Sequence, residues 1–160
     1  ENIYFVPAFT GLGAPYWNPE VRGAIYGLSR DSGAAEITKA ALASVAYQTR
    51  DLLEAMQLDF DLFKNDETVI RVDGGMASSD WVMQYLSDIT GVQVDRPEFL
   101  ETTALGVAWL AGMKAEIYPN QDDFATKWEV QKIFTPVISN NERKKLYEGW
   151  KKAINRTLLD

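Results

Sequence analysis

Short runs with strand character alternate along this chain with runs of helical period, and that alternation restricts the fold to packed α/β layers. Residues 3–7 begin Ile-Tyr-Phe-Val, and 24–28 (Ala-Ile-Tyr-Gly-Leu) form a second extended run. A helix is expected over 34–58, where Ile37, Ala41, Val45, Gln48, Leu52 and Ala55 recur at spacings of three and four. Arg50, Asp51 and Glu54 fall off that stripe and are expected in solvent. Thr68 to Asp73 reads as a buried strand that stops at Gly74-Gly75, and a helix over 78–89 follows with Val82, Tyr85, Leu86 and Ile89 on one face. Val92-Gln93-Val94 reads as a short strand closed by Pro97.

Residues 103–113 read as a helix lined by Ala104, Gly106, Ala108, Ala111 and Gly112, small enough for another backbone to approach. A short helix is expected over 121–127 and an extended segment over 129–134. A last helix over 140–157 opens on a capping box, Ser139 with Glu142, and carries Leu146, Trp150, Ala153, Ile154 and Thr157 on its apolar face. These elements predict a central sheet with strands near 3–7, 24–28, 68–73 and 92–95, the third near its centre and part of the pairing parallel.

No repeat, low-complexity tract or Gly/Ser/Pro linker interrupts the 160 residues, so residues 1–160 are expected to be a single domain. The chain contains no Cys and no His. Disulfides, thiolate or imidazole metal sites and His-based triads are therefore excluded from it. Chemistry would rest on carboxylates, hydroxyls, backbone groups or a bound Mg²⁺. A net charge of −7 disfavours nucleic acid and anionic membrane as partners. It leaves nucleotides open, since backbone N–H groups can hold phosphates. The first residue is Glu1 and a strand follows at once, which leads us to expect a segment of a longer protein.

The sharpest local feature is Val72-Asp73-Gly74-Gly75 opening into a helix near Ser78. Two glycines let a backbone approach a ligand without a Cβ clash, and a helix start presents free N–H groups. A plain βα turn using glycine for its dihedral freedom is the alternative. Asp73 is either a carboxylate near Mg²⁺ or a hydrogen-bonding residue of the turn. Residues 10–17, Thr-Gly-Leu-Gly-Ala-Pro-Tyr-Trp, are either a ligand flap or a structural loop pinned by its aromatics. Glu101-Thr102-Thr103 reads as hydroxyl capping of a helix start, and Arg143, Lys144, Lys145, Lys151 and Lys152 as a solvated face.

Five ordered blocks resemble the FGGY carbohydrate kinases: Val6 to Trp17, Arg22 to Leu28, Ala46 to Asp51, Val72 to Gly75 and Glu101 to Gly106. The resemblance runs from about Tyr4 to Trp150, and the Gly-Leu-Gly-Ala-Pro-Tyr-Trp loop is most similar to the glycerol kinase branch. It implies an actin-like, ribonuclease-H-like fold of two domains, with this chain a C-terminal domain lacking its first strands. ATP and Mg²⁺ would lie in the cleft, and the γ-phosphoryl group would pass to glycerol.

The resemblance also places the Asp base and the glycerol site upstream of Glu1. No catalytic residue is expected here, and the chain alone should be inactive. By the same similarity, Gly74, Gly75 and Ser79 line the nucleotide site and the enzyme is cytoplasmic. A truncated sheet would leave an edge or apolar face open, so a homo-oligomer is expected. Ser79 replaces the family's usual Asn, and Ala43 stands where an acid or amide is usual. A pentulose-type FGGY kinase, or a non-catalytic actin-like nucleotide-binding or oligomerisation module, are the competing readings.

Overall fold

The computed structural model describes residues 2–59, 68–126 and 128–159. Two small sheets and five helices follow one another in chain order among those residues. Strands β1 (Tyr4–Val6) and β2 (Ala24–Tyr26) pair antiparallel. Strands β3 (Val69–Arg71), β4 (Gln93–Pro97) and β5 (Val130–Phe134) form the second sheet in the order β3-β4-β5, the first pair parallel and the second antiparallel. Helices α1 (Ala34–Asp59), α2 (Asp80–Thr90), α3 (Thr102–Lys114), α4 (Gln121–Ala125) and α5 (Asn140–Leu158) lie close to the expected spans. Residue 127, the expected end of the short helix, lies outside the described residues.

The expected single sheet is corrected to two, and its centre moves. β4 is the central strand, because Val94, Asp95, Arg96 and Pro97 are all buried. β3 exposes Val69 and Arg71 and has no strand beyond it among the described residues. β1 instead packs on α1 and α5, with Val6 fully buried between them. Pro97 is the last residue of β4, as expected. Its missing N–H falls where the register with β5 shifts.

The buried face of α1 is also rotated from the expected stripe. Ala40, Ala43, Ser44, Ala46, Tyr47 and Asp51 are buried, whereas Leu52 is exposed. Small side chains at 40, 43 and 46 let α2 and β1 come close, which outweighs the apolar bulk of Leu52. Ala43 stands in this core, where a larger polar side chain would have to be buried. α2 buries Val82, Met83, Leu86 and Ile89, close to expectation. Its C-terminal carbonyls receive Arg50 Nη1 at Ile89 (3.0 Å) and Arg143 Nε at Asp88. Half-buried Arg143 is thus not part of the solvated basic face.

Asp51 is not in solvent. It is 4% exposed and accepts hydrogen bonds from Tyr147 Oη (2.6 Å) and Trp150 Nε1 (2.8 Å) of α5. Trp150 stacks on Tyr47 of α1 at 5.3 Å, so an aromatic contact and a charged one hold the same two helices together. Burial pushes the Asp51 carboxyl above its usual range, opposed by hydrogen bonds from Tyr147, Trp150 and Tyr16.

Asp51→Ala leaves two buried donors short of an acceptor and should cost about 2–4 kcal/mol in urea unfolding. A loss below about 0.5 kcal/mol would place the weight of the α1–α5 contact elsewhere. A carboxyl raised by folding holds its proton more tightly in the native state, so its contribution favours folding below the ordinary value and fades above it. The stability of wild type relative to Asp51→Asn should therefore fall as pH rises from the ordinary carboxylate range through the raised value. A pH-independent difference contradicts this.

Candidate functional site

β3 runs into a single 3₁₀ turn, Gly75–Ser78, before α2 begins, so the strand–glycine–helix unit is present with that turn inserted. Gly74 has φ 80° and ψ 174°, a backbone region closed to L side chains, and its N–H donates to Leu100 O at 2.9 Å. Gly75 differs. It is exposed, its φ is not left-handed, and a Cβ built on it meets nothing within 4 Å. Gly74 is therefore required by the chain's own path, while nothing among the described residues requires Gly75 to be small.

Ser79 caps α2, its Oγ accepting from Val82 N at 3.4 Å. It lies one helical turn beyond Gly75 and is half-buried. Asp73 is exposed, and its carboxylate accepts from the Thr102 hydroxyl. That bond ties the end of the β3 segment to the start of α3 and corrects the expected capping by Thr102. The N-cap of α3 is Glu101, which makes no side-chain capping bond. Among the described residues no three His, Cys, Asp or Glu side chains come together as a metal cage. Asp73 belongs to no such group, and these residues do not by themselves supply a Mg²⁺ cage.

Sequence reasoning missed Arg96, which lies beneath the turn. It is 7% exposed, and its Nη1 donates to Ala77 O (3.0 Å) and Ser78 O (3.3 Å) and pairs with Asp80 at 2.8 Å. Its Nε donates to Gln131 Oε1 at 2.7 Å. Asp80 is held below the usual carboxylate range by hydrogen bonds from Lys132 and Arg96. A charged residue in a strand core was the available signal, because buried arginine needs partners.

The aromatic loop divides its two large rings. Tyr16 is half-buried, and desolvation, with the nearby Asp51 carboxylate, raises its hydroxyl pKa, while Trp17 is 76% exposed. Backbone bonds in both directions between Leu12 and Asn18, at 2.7 and 2.9 Å, close the loop. Tyr16 therefore anchors the loop, and Trp17 does not.

Residues 1–115 match the model of the FGGY family of carbohydrate kinases, C-terminal domain. The chain belongs to that family. Gly74, Gly75 and Ser79 all lie within the matched part of this FGGY domain.

The FGGY chain is 55% identical to a glycerol kinase of Sinorhizobium fredii over 99% of its own length, and 56% identical to one of Rhizobium meliloti over the same share. It spans about a third (32%) of the length of these curated relatives. Among solved structures it resembles Plasmodium falciparum glycerol kinase with ADP, with a TM-score of 0.83 and 32% identity over 99% of this chain and 31% of that one. A xylulose kinase from Lactobacillus acidophilus shares the fold, with a TM-score of 0.72 at 22% identity over 96% of this chain and 31% of that one. The fold of this FGGY domain is thus the actin-like α/β fold of these kinases. No helix among the described residues is long and apolar enough to cross a membrane.

The two glycines of the FGGY turn should respond differently to substitution. Gly74→Ala forces a Cβ into a left-handed backbone and should lower stability by about 1–3 kcal/mol. Gly75→Ala should change it by no more than about 0.5 kcal/mol. Urea unfolding of both variants checks this. Equal losses would mean that Gly75 is also structural.

Proposed function

We propose that this chain is the nucleotide-side part of an ATP-dependent glycerol kinase, a single domain whose Gly74–Gly75 turn forms one wall of the adenosine pocket. The observation that carries the reading is Gly75, an exposed glycine with open space above it and no reason among the described residues to lack a side chain. The relatives support the rest: they are named glycerol kinases, and one was solved with ADP.

In this reading a flat purine or ribose packs on the Cα of Gly75, and Ser79 offers its hydroxyl one turn further on while capping α2. Mg²⁺ enters with the phosphates, which commonly supply much of its ligand shell. The full-length kinase moves the γ-phosphoryl group to a glycerol hydroxyl, giving glycerol 3-phosphate. The acceptor site and the Asp base lie upstream of Glu1. Positioned acceptor, base and charge stabilisation are needed together, so this chain alone is inactive. The enzyme is cytoplasmic and self-associates.

A second reading, a non-catalytic nucleotide-binding module, draws on Ser79. A hydroxyl is shorter than an amide and has one donor hydrogen fewer.

In the full-length protein, Gly75→Val should raise the KM for ATP several-fold, leave glycerol binding unchanged and lower kcat less than kcat/KM, as loss of uniform binding does. Ser79→Asn still caps α2 and should strengthen nucleotide binding by about 0.5–1.5 kcal/mol. Calorimetric titration with ATP decides both. Unchanged affinity in Gly75→Val would make the turn a structural one. Absence of glycerol-dependent turnover in the full-length protein would favour the non-catalytic module.

A further inference from the structure

We propose that Arg96 is a positioning residue for the nucleotide: its guanidinium holds the Gly75–Ser78 turn at the height that presents Gly75 to the base. This rests on the adenosine-wall reading above and extends it to a residue that touches no ligand. Arg96 is the buried cation of the central strand β4, and its partners come from three other places in the fold. Nη1 takes the carbonyls of Ala77 and Ser78 in the turn, and the Asp80 carboxylate at the first residue of α2. Nε takes Gln131 of β5. The guanidinium also lies over the Phe134 ring, 5.3 Å from its centroid, which limits its movement away from the turn.

The turn has little else below it. Ala77, 1% exposed, is its one buried residue, and its internal bonds are Ala77 N to Gly74 O and Ser79 N to Met76 O, both 3.1 Å, and the exposed Ser78 Oγ to Gly75 O at 2.7 Å. A 3₁₀ turn of four residues is weakly held by its own hydrogen bonds. The β4 sheet therefore sets its height through Arg96. Nη1 gathers both carbonyls while Nε is held by Gln131, so the planar guanidinium fixes the direction of the contact as well as its reach, which a single point charge cannot do. Gly75 and Ser79 flank the held carbonyls in sequence, so a shift of the turn moves both groups assigned to the nucleotide.

The test uses the full-length kinase and reads the Kd for ADP beside the Kd for glycerol. Arg96→Lys keeps a cation beside Asp80 but loses the planar geometry and the bond to Gln131. It should weaken ADP about tenfold, the scale on which loss of an orienting partner acts, with glycerol binding unchanged. Gln131→Leu leaves Arg96 in place and removes its brace. It should weaken ADP by a smaller factor without a loss of folding, which keeps the test open if Arg96→Lys proves unstable. Lys132→Ala removes the other partner of Asp80, bonded at 2.6 Å, and should leave ADP affinity as it was.

ADP affinity retained in Arg96→Lys and Gln131→Leu, while Gly75→Val loses it, overturns the positioning role and leaves the adenosine wall standing. Equal weakening of ADP and glycerol also overturns it, because a purely structural role has that signature. Retention of ADP affinity in Gly75→Val overturns the adenosine wall itself.

Discussion

The carboxylate of Asp51 joins parts of the chain that lie 96 and 99 residues apart, through Tyr147 and Trp150. α1 and α5 are brought together on it, and the Tyr47–Trp150 stack fills the space beside it. β1 then packs on both helices, and α2 packs on α1. A lone buried carboxylate is unfavourable, and burial does push this one above its usual range. Its hydrogen bonds offset that penalty and give the helix pair a defined register, which apolar contact alone specifies less sharply.

The position of α2 connects this core to the turn proposed as the nucleotide wall. Its C-terminal end is held by arginines from α1 and α5, at Ile89 and Asp88. Its N-terminal end is held by Arg96 from β4, at Ser78 and Asp80. Cations at the carbonyl end also match the negative pole of the helix. With both ends fixed, the turn before α2 has few ways to move. The adjacent glycines then divide the work: Gly74 makes the corner, and Gly75 leaves a surface on which a flat ligand can lie.

Element type was readable in the sequence because it depends on local period, and all the expected helices and extended runs are present among the described residues. Pairing was less readable. Burial on both faces singles out β4, but its apolar run is shorter and more polar than Thr68–Asp73, so sequence alone favoured the wrong strand as centre. The α1 stripe went astray for a related reason. Leu52 carries more apolar area than Ala43 or Ala46, yet helix contact rewards small side chains where axes lie close. Asp51 and Arg96 were missed because a charged residue is read as solvated until its partners are known, and those partners are distant in sequence. Gly74 and Gly75 stand out in the sequence because strand and corner are neighbours, 69–75, whereas Ser79 enters only through the family resemblance.

A structure of the full-length kinase with bound ADP tests the account most directly. The adenosine is predicted to lie against Gly75, with base or ribose atoms in van der Waals contact, about 4 Å from its Cα, and with the Arg96 bonds to Ala77 and Ser78 intact beneath it. An ADP whose adenosine lies elsewhere, with Gly75 left facing solvent, would contradict it.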